Sequence, residues 1–366
     1  MPKLDFPLQL SPILKPKIWG RKELTPLFPD GPPPYRYPAS QAGEPSTAPE
    51  EPVLIGEAWL TDQEAKFLNG PVAGLTLGEV CREYGPDLCG KKFSGALFPV
   101  LAKYLFTSDW LSLQVHPDDQ DQRVLELGTR GKCEMWYIVE ADDDAEFLLG
   151  LKPGVTKERL RAALMAGTAE ELVQRFTPAQ GEAIFLPPGT VHALGPGLVL
   201  FEAEQHSDMT YRLYDYGRRG PDGKPRPLHL EDGLRVTRPE LPPQRDLPRL
   251  EFEEAYGKRR YVVASAYFGV EELTLERIAT FAACPERVET LSIISGEGRV
   301  ETSAGWYAYR AGDTWLIPPA TPQYRLVAEK KTRLLKFYVP DLERDFRQPL
   351  KARGVPSREI DRTVLA

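Results

Sequence analysis

Cysteine and histidine are scarce in this chain, with four of each among 366 residues. Cys81, Cys89, Cys133 and Cys284 show no CxxC spacing, which excludes a disulfide framework and a thiolate zinc site and leaves free buried thiols as the expectation. No apolar run approaches the roughly 20 residues that span a bilayer, and the start, Met1-Pro-Lys-Leu-Asp-Phe6, has no basic segment leading into an apolar core. These absences predict a cytoplasmic chain with no membrane partner. The formal charge of −7 comes from interspersed acids and bases without a concentrated Lys/Arg patch, which argues against nucleic acid as a partner.

What is present is enough to build cores: 42% of residues are hydrophobic, and the length suits two ordinary domains or one duplicated one. Two stretches spell nearly the same phrase, Gly181-Glu-Ala-Ile-Phe-Leu-Pro-Pro-Gly-Thr-Val-His192 and Gly312-Asp-Thr-Trp-Leu-Ile-Pro-Pro-Ala-Thr-Pro-Gln323. Such self-similarity marks a duplicated supersecondary unit. Residues 29–53 are rich in Pro, Ser, Ala and Gly and read as an extended arm. Ile55–Leu60, Phe98–Leu105, Leu291–Ile294, Gly298–Thr302, Thr314–Ile317 and Leu334–Tyr338 read as short strands between Gly, Pro and Asp turns. A helical insert is expected over 156–176, broken at Gly167, with Thr168-Ala-Glu-Glu171 as a capping box for a second short helix. A proline-rich joint at 239–249 divides an N-terminal domain, 1–238, from a C-terminal one, 250–366, that ends in a charged strap or helix from Asp341. The sum is an all-β-dominated fold, duplicated and antiparallel, of the sandwich, barrel or jelly-roll kind, with helical insertions.

Three polar stripes carry candidate chemistry. In Leu111-Ser-Leu-Gln-Val-His116 the period of two sends Ser112, Gln114 and His116 to one strand face and Leu111, Leu113 and Val115 to the other. In Lys132-Cys-Glu-Met-Trp-Tyr-Ile138 the residues Lys132, Glu134, Trp136 and Ile138 share a face, and His192 follows the Pro187-Pro-Gly-Thr190 turn. Singly, each has a plain reading: a solvated strand face, a surface ion pair, a structural histidine. Together, two imidazoles, a carboxylate and an amide oxygen form a nitrogen and oxygen donor set suited to Zn²⁺, with Mn²⁺, Co²⁺ or Fe²⁺ as alternatives. With no thiol offered and fewer than six donors, a coordination position stays open for substrate. A fourth segment, Phe201 to Arg218, adds an acid, Asp208, and a guanidinium, Arg212, among hydroxyl and aromatic groups, the parts needed for proton transfer on a polyol or carbonyl substrate.

The motifs Gln114-Val-His-Pro117, Gly131-Lys-Cys-Glu-Met-Trp136, Pro188-Gly-Thr-Val-His-Ala-Leu194 and Ser207-Asp-Met-Thr-Tyr-Arg-Leu-Tyr-Asp-Tyr216 resemble the signatures of the type I mannose-6-phosphate isomerases, zinc-dependent cupins. Trp19-Gly20, Ile55-Gly-Glu-Ala-Trp59 and Pro99-Val-Leu-Ala-Lys103 fit as well, so the resemblance runs from near residue 12 to about 340. It implies two cupin-type jelly-roll barrels. It also implies Gln114, His116, Glu134 and His192 as ligands of one Zn²⁺ per chain, Lys103 and Ser112 as holders of the sugar phosphate, and Lys132, Asp208 and Arg212 as the proton-transfer residues. The implied reaction interconverts mannose 6-phosphate and fructose 6-phosphate through a cis-enediol(ate), in a monomer or homodimer. His206 is a further candidate for ring opening. The rivals are an isomerase of another phosphorylated sugar and a non-catalytic sugar-phosphate-binding cupin. Departures from the family pattern fall at Gly131 and Cys133 beside the proposed metal, and at Glu204 and His206. Gln323 stands where the first phrase has His192, so the second barrel is expected to be metal-free.

Overall fold

The computed structural model describes residues 3–29, 53–220, 223–303 and 305–365. The proline-rich arm expected at 29–53 therefore lies almost wholly outside the described residues. In the first half the strands are β1 (Leu8–Leu10), β2 (Ile13–Arg21), β3 (Ile55–Trp59), β4 (Val100–Phe106), β5 (Leu113–Val115), β6 (Glu134–Ala141), β7 (Phe147–Leu151), β8 (Val173–Phe176), β9 (Ala183–Leu186), β10 (His192–Leu194), β11 (Leu198–Gln205) and β12 (Tyr211–Tyr214). The second half carries β13 (Leu250–Glu254), β14 (Gly257–Ala264), β15 (Gly269–Leu275), β16 (Ile278–Ala282), β17 (Glu289–Ser295), β18 (Glu297–Thr302), β19 (Gly305–Arg310), β20 (Thr314–Ile317), β21 (Gln323–Ala328) and β22 (Thr332–Tyr338).

These strands form four sheets, of order β12-β5-β10-β7-β8, β2-β3-β4-β11-β6-β9, β1-β20-β17-β22-β15-β14-β13 and β16-β21-β18-β19. The cores between them fix the stacking in that sequence. Trp136, Ile138, Leu198 and Leu200 of the six-stranded sheet meet Phe147, Leu149 and Leu194 of the five-stranded one. On their opposite faces the same strands send Met135, Tyr137, Phe201 and Ala203 into a second core with Val270, Leu335 and Phe337 of the seven-stranded sheet. The period of two along β6 and β11 thus assigns alternate residues to two different cores, and these strands are buried on both faces. Tyr104 bonds Ser292 across this central core at 2.7 Å. The seven- and four-stranded sheets close on a third core around Trp315, Tyr324 and Leu326. β1, from the start of the chain, pairs with β20 and so belongs to the seven-stranded sheet.

Helices cap the layers. α1 (Leu77–Cys89) starts with a capping box, Thr76 and Glu79 bonding each other's backbone, and buries Leu77, Val80 and Leu88. α2 (Gln122–Leu127) is short, and α3 (Lys157–Ala166) starts at Thr156 and ends at Gly167 in the left-handed conformation, as the Gly167 break implies. α3 and α4 (Leu230–Val236) cover the outer face of the five-stranded sheet through Leu160, Leu164 and Leu234. The expected second helix of the insert is instead a single 3-10 turn, Ala169–Leu172, whose Thr168 makes no capping bond. Val173–Phe176 is the strand β8, paired with β7 through Phe147↔Phe176 and Leu151↔Val173. There, an edge able to pair with β-branched and aromatic side chains outweighs the helical spacing. Short helices from Leu342 to Thr363 form the strap after β22. Cys81, Cys89 and Cys133 are buried free thiols as expected, whereas Cys284 is only partly buried.

The repeated phrase folds alike in both halves. Each copy is a strand, then a turn closed by Thr190 N to Pro187 O at 3.3 Å or Thr321 N to Pro318 O at 3.0 Å, then a second strand. Leu186 sits opposite Glu134, and its counterpart Ile317 sits opposite Glu289.

Candidate metal centre

Strand register assembles a polar pocket between the six- and five-stranded sheets. On one wall a single cross-strand row runs Arg212, Gln114, His192, contributed by β12, β5 and β10. On the other, Trp59, Lys103, Glu202 and Trp136 form a row across β3, β4, β11 and β6, with Glu204 opposite Glu134 one rung away. Sequence distance is irrelevant here: register alone brings Lys103 and Glu202 into contact.

At the base of the pocket His116, Glu134 and His192 are all buried, and their candidate ligand atoms lie within 4.8 Å of one another. His116 Nε2 is 3.6 Å from Glu134 Oε2 and His192 Nε2 is 3.3 Å from Glu134 Oε1. Each imidazole is fixed from behind, His116 Nδ1 by the Met209 carbonyl and His192 Nδ1 by the Thr190 carbonyl, both at 2.9 Å. That leaves each Nε2 lone pair directed at the cluster, the arrangement in which an outer hydrogen bond orients a metal-ligating histidine. Gln114 lies 3.1 Å from His192 Nε2 through its amide, whose oxygen and nitrogen exchange places on a flip.

The electrostatics suit a cation. His116 Nε2 and both Glu134 oxygens are buried without a hydrogen-bond partner, so the centre has acceptors and nothing that donates to them in good geometry. Burial, reinforced for His116 by the Lys132 charge, lowers the pKa of both histidines and keeps them neutral, the form that binds metal. Burial pushes the Glu134 carboxyl up, but the neighbouring Lys132 ammonium outweighs it and holds the value at about 2. The residues present therefore fit a divalent ion.

Around this centre lies a charged floor only partly visible in the sequence. Lys132 Nζ touches Glu134 at 3.2 Å, Glu204 at 2.6 Å and Glu202 at 3.6 Å. Lys103 Nζ lies 2.8 Å from Glu204 and 3.7 Å from Glu202, and 4.6 Å above the Trp59 ring. Burial pulls the Lys132 pKa down, yet the three carboxylates hold it well above its usual value, so Lys132 remains an ammonium. Burial and the neighbouring Glu202 push Glu204 up to about 8. A cavity of about 230 Å³ opens above, lined by Lys103, Ser112, Gln114, Lys132, Glu202, Asp208 and Arg212 among others. That volume falls below the roughly 300 to 1,000 Å³ of drug-sized clefts and suits a small polar molecule.

The structure thus brings Gln114, His116, Glu134, His192, Lys132, Lys103 and Ser112 together, with Arg212 half-buried in the wall and Asp208 exposed at the rim. His206 stands apart, its Nε2 3.4 Å from the Gln63 amide. Leu111 does not share the face of Leu113 and Val115 as the alternation implied; it joins the core on the pocket side, because the regular strand begins only at Leu113. Glu202 was missed, and Glu204 was noted only as a departure from the family pattern, although two carboxylates at period two in the apolar run Leu198–Gln205 signal buried partners.

A buried His-Glu-His cluster under an open polar pocket, set in stacked antiparallel sheets, defines the class: a cupin-type β protein with a candidate divalent-metal centre. Relatives narrow the class. The family model of the phosphomannose isomerase type I catalytic domain matches residues 8–132. Mannose-6-phosphate isomerase ManA of Bacillus subtilis (strain 168) is 32% identical over 321 residues, 87% of this chain and 95% of that protein. The probable mannose-6-phosphate isomerase GmuF of the same organism is 34% identical over 322 residues, 86% and 94% respectively. A solved structure of the Bacillus subtilis mannose 6-phosphate isomerase superposes with a TM-score of 0.80 at 28% identity, covering 91% of this chain and 99% of that one. A putative mannosephosphate isomerase from Archaeoglobus fulgidus, 18% identical with a TM-score of 0.67 over 92% and 98%, shares the fold. The chain belongs to the type I mannose-6-phosphate isomerase family.

Proposed function

We propose that this chain is a metal-dependent aldose–ketose isomerase that interconverts mannose 6-phosphate and fructose 6-phosphate through a cis-enediol(ate). The observation that carries the reading is the buried cluster in which two back-bonded imidazoles face the Glu134 carboxylate, whose only cationic neighbour besides them among the described residues is Lys132. Gln114, His116, Glu134 and His192 would hold the ion, Zn²⁺ by donor type, one per chain. When bound, it polarises the substrate carbonyl and hydroxyl oxygens. The halves divide the work at the 239–249 joint: residues 1–238 bear the site and residues 250–366 form a metal-free companion barrel.

The surrounding side chains supply the rest. Isomerisation moves a proton between C2 and C1 on one face of the chain, so it needs a base that returns what it takes. Three carboxylates line the pocket outside the ligand set: Glu57 is paired with Lys17 at 3.2 Å, which leaves Asp208 at the rim and Glu202 on the floor as the candidate bases. Lys132, kept protonated by its neighbours, donates to the oxygen on which charge develops, and Arg212 orients the open sugar chain. Trp136 and Trp19 in the lining exclude bulk water from one side. The reading carries with it a cytoplasmic enzyme, monomeric or homodimeric, acting on a free sugar phosphate.

The test supplies metal-loaded protein with mannose 6-phosphate and measures fructose 6-phosphate, alongside a His192→Ala variant. Turnover by the wild type and its loss in the variant are expected. An inactive wild type, or a fully active variant, overturns the proposal.

A further inference from the structure

A sugar phosphate brings close to two negative charges into the pocket at neutral pH. The cations that receive it must not already be neutralised. Family resemblance gives this task to Lys103 with Ser112, yet Lys103 is 3% exposed and ion-paired to Glu204 and Glu202. Lys132 is likewise paired with Glu134, Glu202 and Glu204. Each floor ammonium thus already contacts at least two buried carboxyl groups, so neither is free to turn toward an incoming anion.

The mouth of the pocket differs. Arg212 and Arg226 line it, and Arg226 shares Asp215, a carboxylate that is 5% exposed, with Arg218. Arg226 binds it through Nε at 2.8 Å and also through Nη2. Arg218 Nη2 reaches the same carboxylate at 2.8 Å and its Nη1 reaches Asp109 at 3.2 Å. Arg226 is therefore held by one edge of its guanidinium, and the other edge, at Nη1, remains for a ligand. Arg212 has no carboxylate within ion-pair distance among the described residues. Its Nη1 donates to the Pro227 carbonyl at 3.0 Å, and its Nε is buried without a partner. Burial and then the Arg226 charge pull the Arg212 pKa down, against the opposing pull of Asp215 and Asp208. Arg212 N donates to His229 Nδ1 at 3.1 Å, which leaves that ring's Nε2–H as a further donor. Arg212, Arg226 and His229 all line the cavity that Ser112 and Gln114 line.

We infer that Arg212 and Arg226, the latter aimed by Asp215, hold the phosphate group of the substrate at the pocket mouth, and that Lys103 instead balances the carboxylates of the floor. This rests on the isomerase reading of the pocket. Two planar guanidiniums offering paired N–H groups match tetrahedral phosphate oxygens better than a single buried ammonium. It also gives the substrate one direction of entry, the reacting carbons inward toward Lys132 and Gln114.

The experiment compares wild type, Arg226→Gln, Arg226→Lys, Asp215→Asn and Lys103→Met. Inorganic phosphate is the probe, as a competitive inhibitor and by calorimetry on metal-loaded and chelated protein. For Arg226→Gln, KM for mannose 6-phosphate and Ki for phosphate rise about 10- to 100-fold, the loss expected for a charge-assisted bidentate contact. kcat falls far less, and Arg226→Lys recovers part of the loss. Asp215→Asn follows in the same direction, since it releases Arg226 without removing it. Lys103→Met lowers kcat and leaves phosphate Ki within about threefold, because it removes no phosphate contact. An unchanged phosphate Ki in Arg226→Gln, or a Ki that rises only in Lys103→Met, overturns the inference. Should wild type fail to isomerise, the function falls, but calorimetry still decides the clamp: phosphate binding that survives chelation and weakens in Arg226→Gln supports it, and equal binding by both proteins overturns it.

Discussion

The duplicated phrase suggests its own perturbation, His192→Gln, which gives the first copy the residue that the second copy carries. His192 Nε2 lies 3.3 Å from Glu134, its Nδ1 bonds the Thr190 carbonyl, and its ring packs edge-on to Trp136 with centroids 5.4 Å apart. Two losses must be separated. Without metal, the variant forfeits the contacts with the Thr190 carbonyl and the Gln114 amide and some packing, about 1 to 2 kcal/mol of folding stability. With metal, it also loses a ligand. Structural zinc sites bind with roughly 10 to 16 kcal/mol shared over four ligands, so one ligand is worth about 2.5 to 4 kcal/mol, or 10²- to 10³-fold in affinity. At free metal 100 times the wild-type Kd, binding stabilises the wild type by about 2.7 kcal/mol and the variant by at most about 0.4. Denaturant melts in chelator and in buffered metal, with chelator-competition titration for the Kd, measure both terms. A variant whose metal-dependent stabilisation equals that of wild type removes His192 from the ligand set and refutes the reasoning.

Three further outcomes are expected. Replacing Asp208 or Glu202 by its amide separates the two candidate bases: the one that carries the C2 proton loses about 10²- to 10⁴-fold in kcat with metal content unchanged, measured by exchange of the C2 hydrogen with solvent. His206 is buried, and desolvation lowers its pKa to about 4. Between that value and its ordinary 6.5 the unfolded chain binds the extra proton, so this residue's share of stability, up to about 3 kcal/mol, is full above pH 6.5 and lost as pH falls toward 4. His206→Gln flattens that part of the pH–stability curve in denaturant melts, and an unchanged slope counts against the assignment. A methyl group at Gly131 would stand 2.4 Å from the Asp118 carbonyl carbon and 2.6 Å from Asp119 N. Gly131→Ala therefore pushes on the segment after His116, costs about 1 to 3 kcal/mol, and weakens metal binding in the same titration.

Much of this was readable before any coordinates, for a physical reason. Strand alternation is a local property, so Gln114 and His116, or Glu134 and Trp136, declare a shared face from spacing alone. The strand segments beyond residue 290 were legible likewise, being β-branched runs bounded by turns. Register was not legible. Nothing local says that Glu202 lies opposite Lys103, so the ion pairs of this lysine on an apolar strand could not be foreseen. Tertiary pairing also overrode local signals at Val173–Phe176, where helical spacing yields to an available edge, and at Leu111, where the strand had not yet begun. The second phrase shows the same limit. Gln323 is its nominal match to His192, yet Gln323 faces out and Tyr324 faces in, its hydroxyl 3.3 Å from Glu289, whose other oxygen holds Lys336 at 2.7 Å.

The six-stranded sheet has two tenants. On β11, Glu202 and Glu204 face the pocket while Phe201 and Ala203 face the seven-stranded sheet, where Phe201 meets Phe337 with ring centroids 5.3 Å apart. A strand cannot move one face and spare the other, so the seven-stranded sheet is a mould against which the pocket's carboxylates are cast. Substitutions around Phe337, far from any sugar, will surface in activity screens as though they were active-site lesions, and compensating changes will pair across that wall. The second half of the chain thereby sets the tolerances of the pocket in the first.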